Sequence, residues 1–369
     1  MSTAEQRPRR ALLVSGRFGK GHDTVSEATA AALTRLGVES RIVDAIGLLG
    51  GAGSRLGEDV FRAVLDRPGV YDAFHFTQLR AGSRLARGLD RASLRVMWPR
   101  FLEVCDDWRP DLVVAVFATG AAAAARYARL RPDVTTAVFI TDATAHALWV
   151  HPGIDVYLVP SRLGELAVRR YLPDAHVRLV THPTRPAFYA APSRAVARRA
   201  LGVPEDGRCV LLVSGAWGVG PLIECATTLA DRGLWVLAVA GSNARLERRL
   251  RAAAAHRRRL LPFGYTDRVA ELMAASDVVV SASGDTCREA RVVGRSLLLL
   301  DVVPGHGREN LQHELELGGA WMAPTDPGAL VEAVDGVLRD PAHHAVRSVA
   351  SASAWEAELL EALGSVGFC

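Results

Sequence analysis

The sequence predicts an α/β protein made of two doubly wound domains facing a cleft. Three observations predict it. Short apolar runs alternate with helical segments through most of the chain, the pattern of parallel strands covered by helices. That alternation is interrupted between Thr181 and Arg208 by Pro183, Pro186, Pro192 and Pro204, which read as an interdomain linker. The length of 369 residues favours two compact domains over one. The expected division is 1–190 and 191–369, with the last helix available to return to the first domain.

In the first series, Ala11–Ser15 is a buried strand, Asp23–Leu36 a helix and Ser40–Asp44 a second strand. Leu112–Phe117, Val134–Ile140 and Val156–Pro160 follow as strands, with an Ala-rich helix between the first two. The stretch from Gly50 to Arg100 is helical in tendency. Within it Arg80, Arg84, Arg87, Arg91 and Arg95 recur at three- and four-residue spacing, with Leu79, Leu85, Leu89 and Leu94 between them. This is either a basic amphipathic helix suited to an anionic membrane surface or a solvated surface helix. In the second series, Cys209–Val213, Leu234–Ala240, Val278–Ser281 and Leu297–Asp301 are strands separated by helices. In such sheets the glycine-rich loops at the strand ends line the ligand crevice.

Composition limits the function classes. A net charge of +4 attracts anionic partners without demanding nucleic acid, and no interleaved basic and aromatic stripe is present. The five cysteines are scattered, odd in number and free of CxxC pairs, which fits a reducing cytoplasm and argues against structural zinc or a disulfide framework. Met1–Arg10 is polar and basic, with no apolar signal-peptide core. Leu112–Ala125 is too short and Ala-rich to span a bilayer. The expected location is cytoplasmic, with any membrane contact peripheral on the inner face.

Four loops carry residues suited to chemistry. Ser15-Gly16-Arg17-Phe18-Gly19-Lys20-Gly21-His22 joins a strand to a helix. Its glycines let a ligand approach the backbone, and His22 is a candidate general base. Glu27, three residues after Thr24, also fits a capping box. Ser214-Gly215-Ala216-Trp217-Gly218-Val219-Gly220 again joins strand to helix and is suited to a pyrophosphate. Its G-x-x-G-x-G spacing differs from the dinucleotide fingerprint. Ser281–Glu289 contains Gly284, Asp285, Thr286 and Glu289. Glu289 can accept two hydrogen bonds from a ribose diol or complete a capping box with Thr286. Pro304–Asn310 is a polar loop whose side chains can grip sugar hydroxyls. No DxD pair occurs, so a metal-dependent donor site of that type is not indicated.

Together these segments resemble the monogalactosyldiacylglycerol synthase and processive diacylglycerol glucosyltransferase group, related to the MurG-type N-acetylglucosaminyltransferases. The most specific piece is a TD-x₃-H-x₂-W-x-H stretch, kept in full from Thr141-Asp142 through His146 and Trp149 to His151. Asp155–Ser161 and Pro183-Thr184-Arg185-Pro186 also fit. In the second half the matching pieces are Gly264–Asp267, Met273–Asp277, Glu289-Ala290, Pro304-Gly305 and Glu309-Asn310. The resemblance spans roughly Ala11 to Ala333 and is weakest from Gly50 to Arg100. In two places the chain departs from it. Relatives carry a Lys-Pro-Gly-Gly-like run where this chain has Ser281–Asp285, and Gln or Glu where it has His306, Gly307 and Arg308.

The resemblance implies a GT-B fold and an inverting glycosyltransferase. It would move a hexose or N-acetylhexosamine from a UDP-sugar to a hydroxyl of a lipid acceptor, diacylglycerol or polyprenyl-linked, at the membrane surface. It implies no cofactor beyond the UDP-sugar co-substrate. His22 and Asp142 would be catalytic. Gly19, Gly21, His146, Trp149 and His151 would lie on the acceptor side. Gly215, Gly218, Gly220, Tyr265, Gly284, Asp285, Thr286, Glu289, His306, Glu309 and Asn310 would serve the donor. The readings that compete are a small-molecule glycosyltransferase of secondary metabolism, a non-hydrolysing UDP-sugar epimerase and a non-catalytic nucleotide-sugar binding protein.

Overall fold

The structure, a computed structural model, describes residues 8–16, 20–50, 68–213, 222–339 and 352–368. It divides into two compact units, Met1–Pro183 with Ala352–Cys369, and Thr184–Ser351.

The first unit holds a six-stranded parallel sheet of order β2-β1-β3-β4-β5-β6. Its strands are β1 (Arg10–Ser15), β2 (Glu39–Asp44), β3 (Leu112–Ala115), β4 (Thr135–Phe139), β5 (Val156–Val159) and β6 (Val177–Leu179). The apolar runs are continuous because the central strands are buried on both faces. On one face Leu12, Val14, Val113, Ala115 and Val138 pack against helices α3 (Arg84–Trp108) and α4 (Ala118–Leu130). On the other, Leu13, Val114, Phe139 and Leu158 pack against α1 (Lys20–Arg35) and the last helix, α14 (Ala352–Gly364). The small residues of α4 let it lie close to the sheet: a Cβ on Gly120 would come 2.8 Å from Val14 Cγ1. Between α1 and α4 the chain also forms a helix α2 (Pro68–Phe74) that runs into a π-helical turn, His75–Leu79.

The second unit repeats the plan with a sheet of order β12-β11-β10-β7-β8-β9, again all parallel. The strands are β7 (Cys209–Val213), β8 (Trp235–Val239), β9 (Leu260–Phe263), β10 (Val278–Ala282), β11 (Ser296–Leu300) and β12 (Ala320–Ala323). One face carries α8 (Leu222–Asp231), α9 (Ala244–Ala254) and α13 (Pro327–Arg339). The other carries α7 (Arg194–Leu201), α10 (Val269–Ala275), α11 (Asp285–Val293) and α12 (His306–Glu316).

One device recurs at the N-terminal edge of both sheets. An Asp immediately precedes β3, β5 and β10, and its carboxylate accepts a backbone N–H from the neighbouring strand. Arg10 donates to Asp111 at 2.8 Å, Thr136 to Asp155 at 2.7 Å and Cys209 to Asp277 at 2.8 Å. Each carboxylate fixes the register of a strand pair where the ladder would otherwise fray.

Three expectations change. The stretch read as a linker contains α6 (Pro186–Tyr189) and α7, whose Phe188 and Ala197 belong to the core of the second unit. The first unit therefore ends at Pro183 and not at residue 190. α1 begins at Lys20, so His22 sits in the first helical turn and not in a loop. Thr24 is then inside the helix, and a capping box with Glu27 is excluded. Of the leucines placed among the arginines of α3, Leu94 packs against the core while Leu85 and Leu89 are exposed.

Candidate functional site

In open doubly wound sheets ligands bind beyond the C-terminal strand ends where the strand order reverses. In the first sheet that point lies between β1 and β3, where Ser15-Gly16 leaves one strand and Val116-Phe117 the other. His22 is there. Its Nδ1 lies 2.7 Å from the Val116 carbonyl oxygen and 3.2 Å from Thr141 Oγ1. A carbonyl can only accept, so Nδ1 carries the proton and donates it. The tautomer is thereby set, and Nε2 is left with the lone pair that a general base needs. The Phe117 ring meets the imidazole edge-on at 5.2 Å between centroids.

The TD-x₃-H-x₂-W-x-H stretch follows β4 and wraps past this histidine. Trp149, fully buried, lies 6.4 Å from His22, ring to ring. His146 lies 6.2 Å from Trp149, and His75 of the π-helical turn 6.1 Å from His146. His146 also caps the short helix Ala147–Trp149, its Nδ1 accepting from the Leu148 N–H at 3.3 Å. Asp142 is half-buried beside Thr141. His151 is anchored differently: its Nε2 lies 3.0 Å from the Leu148 carbonyl oxygen and 4.0 Å from Asp90 Oδ2. Its main chain is locked by Tyr157, whose hydroxyl accepts from the His151 N–H at 2.8 Å and donates to the His151 carbonyl at 2.7 Å. The structure thus gathers His22, His146 and Trp149 into one aromatic row and gives His151 a framework position. Gly21 belongs to the first turn of α1, and Gly19 lies outside the described residues.

In the second sheet the order reverses between β7 and β10. The loop after β7, with Gly215, Gly218 and Gly220, lies outside the described residues. The loop after β10 leads through Ser283 and Gly284 into α11. Ser283 Oγ donates to the Gly307 carbonyl at 2.6 Å, which ties this loop to the start of α12. The two segments that depart from the family pattern are therefore joined to each other. Gly305 holds φ +64° at the start of α12, which puts His306, Glu309 and Asn310 in its first turns. Gly307 is closely packed: a Cβ there would stand 2.4 Å from Val303 Cγ1. Asp285 pairs with Arg288 one turn on. Thr286 is inside α11, whose N-cap is Gly284, so the capping-box reading of Glu289 is excluded. Tyr265 is exposed on the loop after β9.

The carboxylate of Glu289 is engaged through one of its oxygens. Oε1 accepts from Arg185 Nε at 3.1 Å and Nη2 at 2.7 Å. Burial pushes the Glu289 carboxyl above its usual range, and the adjacent guanidinium opposes that rise. From the sequence Arg185 and Thr141 were named only as parts of matching motifs, without roles, and the Val116 carbonyl was not singled out. Arg185 showed as the cation of a short proline-flanked match, which says nothing of its partner, and a main-chain acceptor leaves no trace at all.

Residues 90–166 match the model of the monogalactosyldiacylglycerol (MGDG) synthase family, covering α3 to α5 (Arg162–Tyr171) and the whole histidine and tryptophan row except His22 and His75. Over that segment the chain is similar to the MGDG synthases. It is 28% identical over 204 residues to a processive diacylglycerol β-glucosyltransferase of Bacillus pumilus, covering 53% of this chain and 52% of that protein. It is 28% identical over 193 residues to the chloroplastic MGDG synthase 2 of Arabidopsis thaliana, covering 47% and 39%. The chain thus spans about half the length of the first of these relatives and less of the second. Solved structures share the fold across nearly the whole chain. A UDP-GlcNAc 2-epimerase from Neisseria meningitidis bound to UDP-GlcNAc aligns at TM-score 0.59 and 12% identity, covering 96% of this chain and 100% of that one. A spinosyn rhamnosyltransferase complexed with thymidine diphosphate aligns at 0.58 and 15%, covering 96% of each. The fold is GT-B, two doubly wound parallel-sheet units.

Proposed function

We propose that the chain is an inverting glycosyltransferase that moves a hexose or N-acetylhexosamine from a UDP-sugar to a hydroxyl of a lipid acceptor, diacylglycerol or polyprenyl-linked. The observation that carries this reading is His22, fixed at the switch point of the first sheet with Nδ1 donating to Val116 and Nε2 left basic. The names of the sequence relatives supply the reaction class.

In the proposed reaction the first unit binds the acceptor and the second the donor. His22 Nε2 takes the proton of the acceptor hydroxyl as its oxygen bonds to the anomeric carbon. The bond from that carbon to the diphosphate oxygen breaks on the opposite side, and UDP leaves with the electron pair. Backbone N–H groups of the Gly215–Gly220 loop and of the start of α12 receive the developing charge. Asp142 assists His22, and the row of Trp149 and His146 lines the acceptor side. Glu289 holds the ribose. His306, Glu309 and Asn310 meet the donor sugar. No metal or cofactor beyond the co-substrate is invoked.

The acceptor class also asks for a surface. Among the described residues no helix is long and apolar enough to cross a membrane. α3 instead presents exposed Leu85, Leu89 and Val96 beside exposed Arg84, Arg87, Arg91 and Arg95, which suits peripheral docking on anionic lipid.

Turnover of UDP-glucose and UDP-galactose with diacylglycerol by wild type and His22→Ala tests the reading. Loss of a general base lowers kcat about 10²- to 10⁴-fold. Turnover of His22→Ala near wild type would remove His22 from the mechanism. The structural likeness to an epimerase makes the acceptor-free control decisive. Epimerised UDP-sugar without acceptor would replace the transferase reading.

A further inference from the structure

Glu289 is 7% exposed, and its environment opposes ionisation. Asp285, one turn earlier on the same helix, acts against the charge. Arg288 favours it but is paired with Asp285. On the packed helix α10, Glu271 is itself paired with Arg268. The cation in contact with Glu289 is Arg185, which comes from outside the helix.

Arg185 is well placed for that task. It is the N-cap of α6, between Pro183-Thr184 and Pro186, where proline fixes the backbone on its C-terminal side. Its guanidinium lies over the ring of buried Phe188, 4.9 Å from the centroid. Both of its hydrogen bonds run to Oε1 of Glu289, so Oε2 is left as an acceptor. The arrangement sets a cation against one carboxylate oxygen and leaves the other outside both bonds.

We propose that Arg185 is a positioning residue: it holds Glu289 ionised and turned so that Oε2 receives the ribose diol of the donor nucleotide. The proposal rests on the second unit being the donor half. It assigns Arg185 no contact with the nucleotide and makes the ribose interaction depend on a cation supplied by the segment between the two sheets.

The test is binding of UDP and of 2′,3′-dideoxy-UDP by titration calorimetry at pH 6 and pH 8, with wild type, Arg185→Gln and Arg185→Lys. Wild type prefers UDP about tenfold to a hundredfold, the range for hydrogen bonds to a charged group, and does so equally at both pH values. In Arg185→Gln the preference collapses at pH 6 and partly returns at pH 8, because a buried carboxyl without its cation ionises later. Arg185→Lys restores the preference at both. The proposal is overturned if Arg185→Gln weakens both nucleotides equally, which would mean direct contact with the diphosphate, or if it keeps the wild-type preference at pH 6. Wild type binding the two nucleotides alike would be a different failure: Glu289 would not read the ribose, and the donor-site assignment would fall with the coupling. If Arg185→Gln does not fold, Arg185→Lys decides alone: retention of the diol preference is expected, and its loss would overturn the idea.

Discussion

Gly16 has no room for a side chain. A Cβ there would lie 2.4 Å from Cγ of Phe117, a ring atom that cannot swing aside as a flexible chain end would. The same ring buttresses the His22 imidazole, so pressure on Phe117 is passed directly to the proposed base. Gly16→Ala is therefore expected to lower kcat at least about tenfold with little change in donor binding, since small misplacements of reacting groups are costly. Unchanged kcat in a steady-state assay would show that the ring yields freely. At this scale the sequence revealed residue types and missed their partners. His22 was legible from its glycine-rich surroundings. Its tautomer was not, because it is set by a main-chain oxygen 94 positions away. Glu289 offered two local readings of equal merit. Only the placement of the helix start at Asp285 and a guanidinium distant in sequence removed one of them.

At the scale of elements, α3 has two apolar faces with different fates. Met97, Trp98, Phe101 and Cys105 enter the core, whereas Leu85, Leu89 and Val96 recur at helical spacing on the exposed side. Burying these three in the interfacial zone of a bilayer recovers apolar transfer energy, and the neighbouring arginines add attraction that salt screens. Sedimentation with vesicles containing phosphatidylglycerol is expected to pull the protein down at low salt and release it at about 0.5 M salt, where the screening length is only a few ångströms. Leu85→Ser with Leu89→Ser should reduce binding at low salt. Binding indifferent to anionic lipid and to salt would sink the idea. The strands found from sequence were those with continuous apolar runs in the middle of each sheet, together with β2. The strands overlooked, β6, β9 and β12, are all at sheet edges, with burial broken along their length. An edge strand needs apolar residues on fewer sides, so its pattern weakens to that of a loop.

At the scale of the whole molecule, the last helix completes the first unit. Trp355, Leu359, Leu363 and Phe368 fill one face of its sheet beside Leu13, Leu33 and Phe139. Glu358 Oε2 accepts the Thr181 N–H at 2.6 Å, and His176 meets Ser365 Oγ at 3.0 Å. Removing Ala352–Cys369 is expected to expose this face and accelerate amide hydrogen exchange through β1, β3, β4 and β5, with β7 to β11 unaffected. Equal loss of protection in both sheets would show that the units do not open separately. The two-unit plan was legible because each sheet repeats the same strand-and-helix rhythm. The boundary was not, because two of the prolines that read as a spacer stand at the starts of helices belonging to the second unit, Pro186 as the first residue of α6 and Pro192 just before Ser193, the N-cap of α7.

The return of that helix has a consequence for the order in which the protein comes into being. The second unit is an insertion, its residues entering and leaving between two parts of the first. During synthesis the strands of the first sheet emerge early but wait, one face covered only in part by α1, until α14 has been translated. The later half is complete before the earlier one can close. Because translation adds only about 5–20 residues each second, that gap persists for many seconds. It is the stage at which a nascent chain of this design most needs a chaperone.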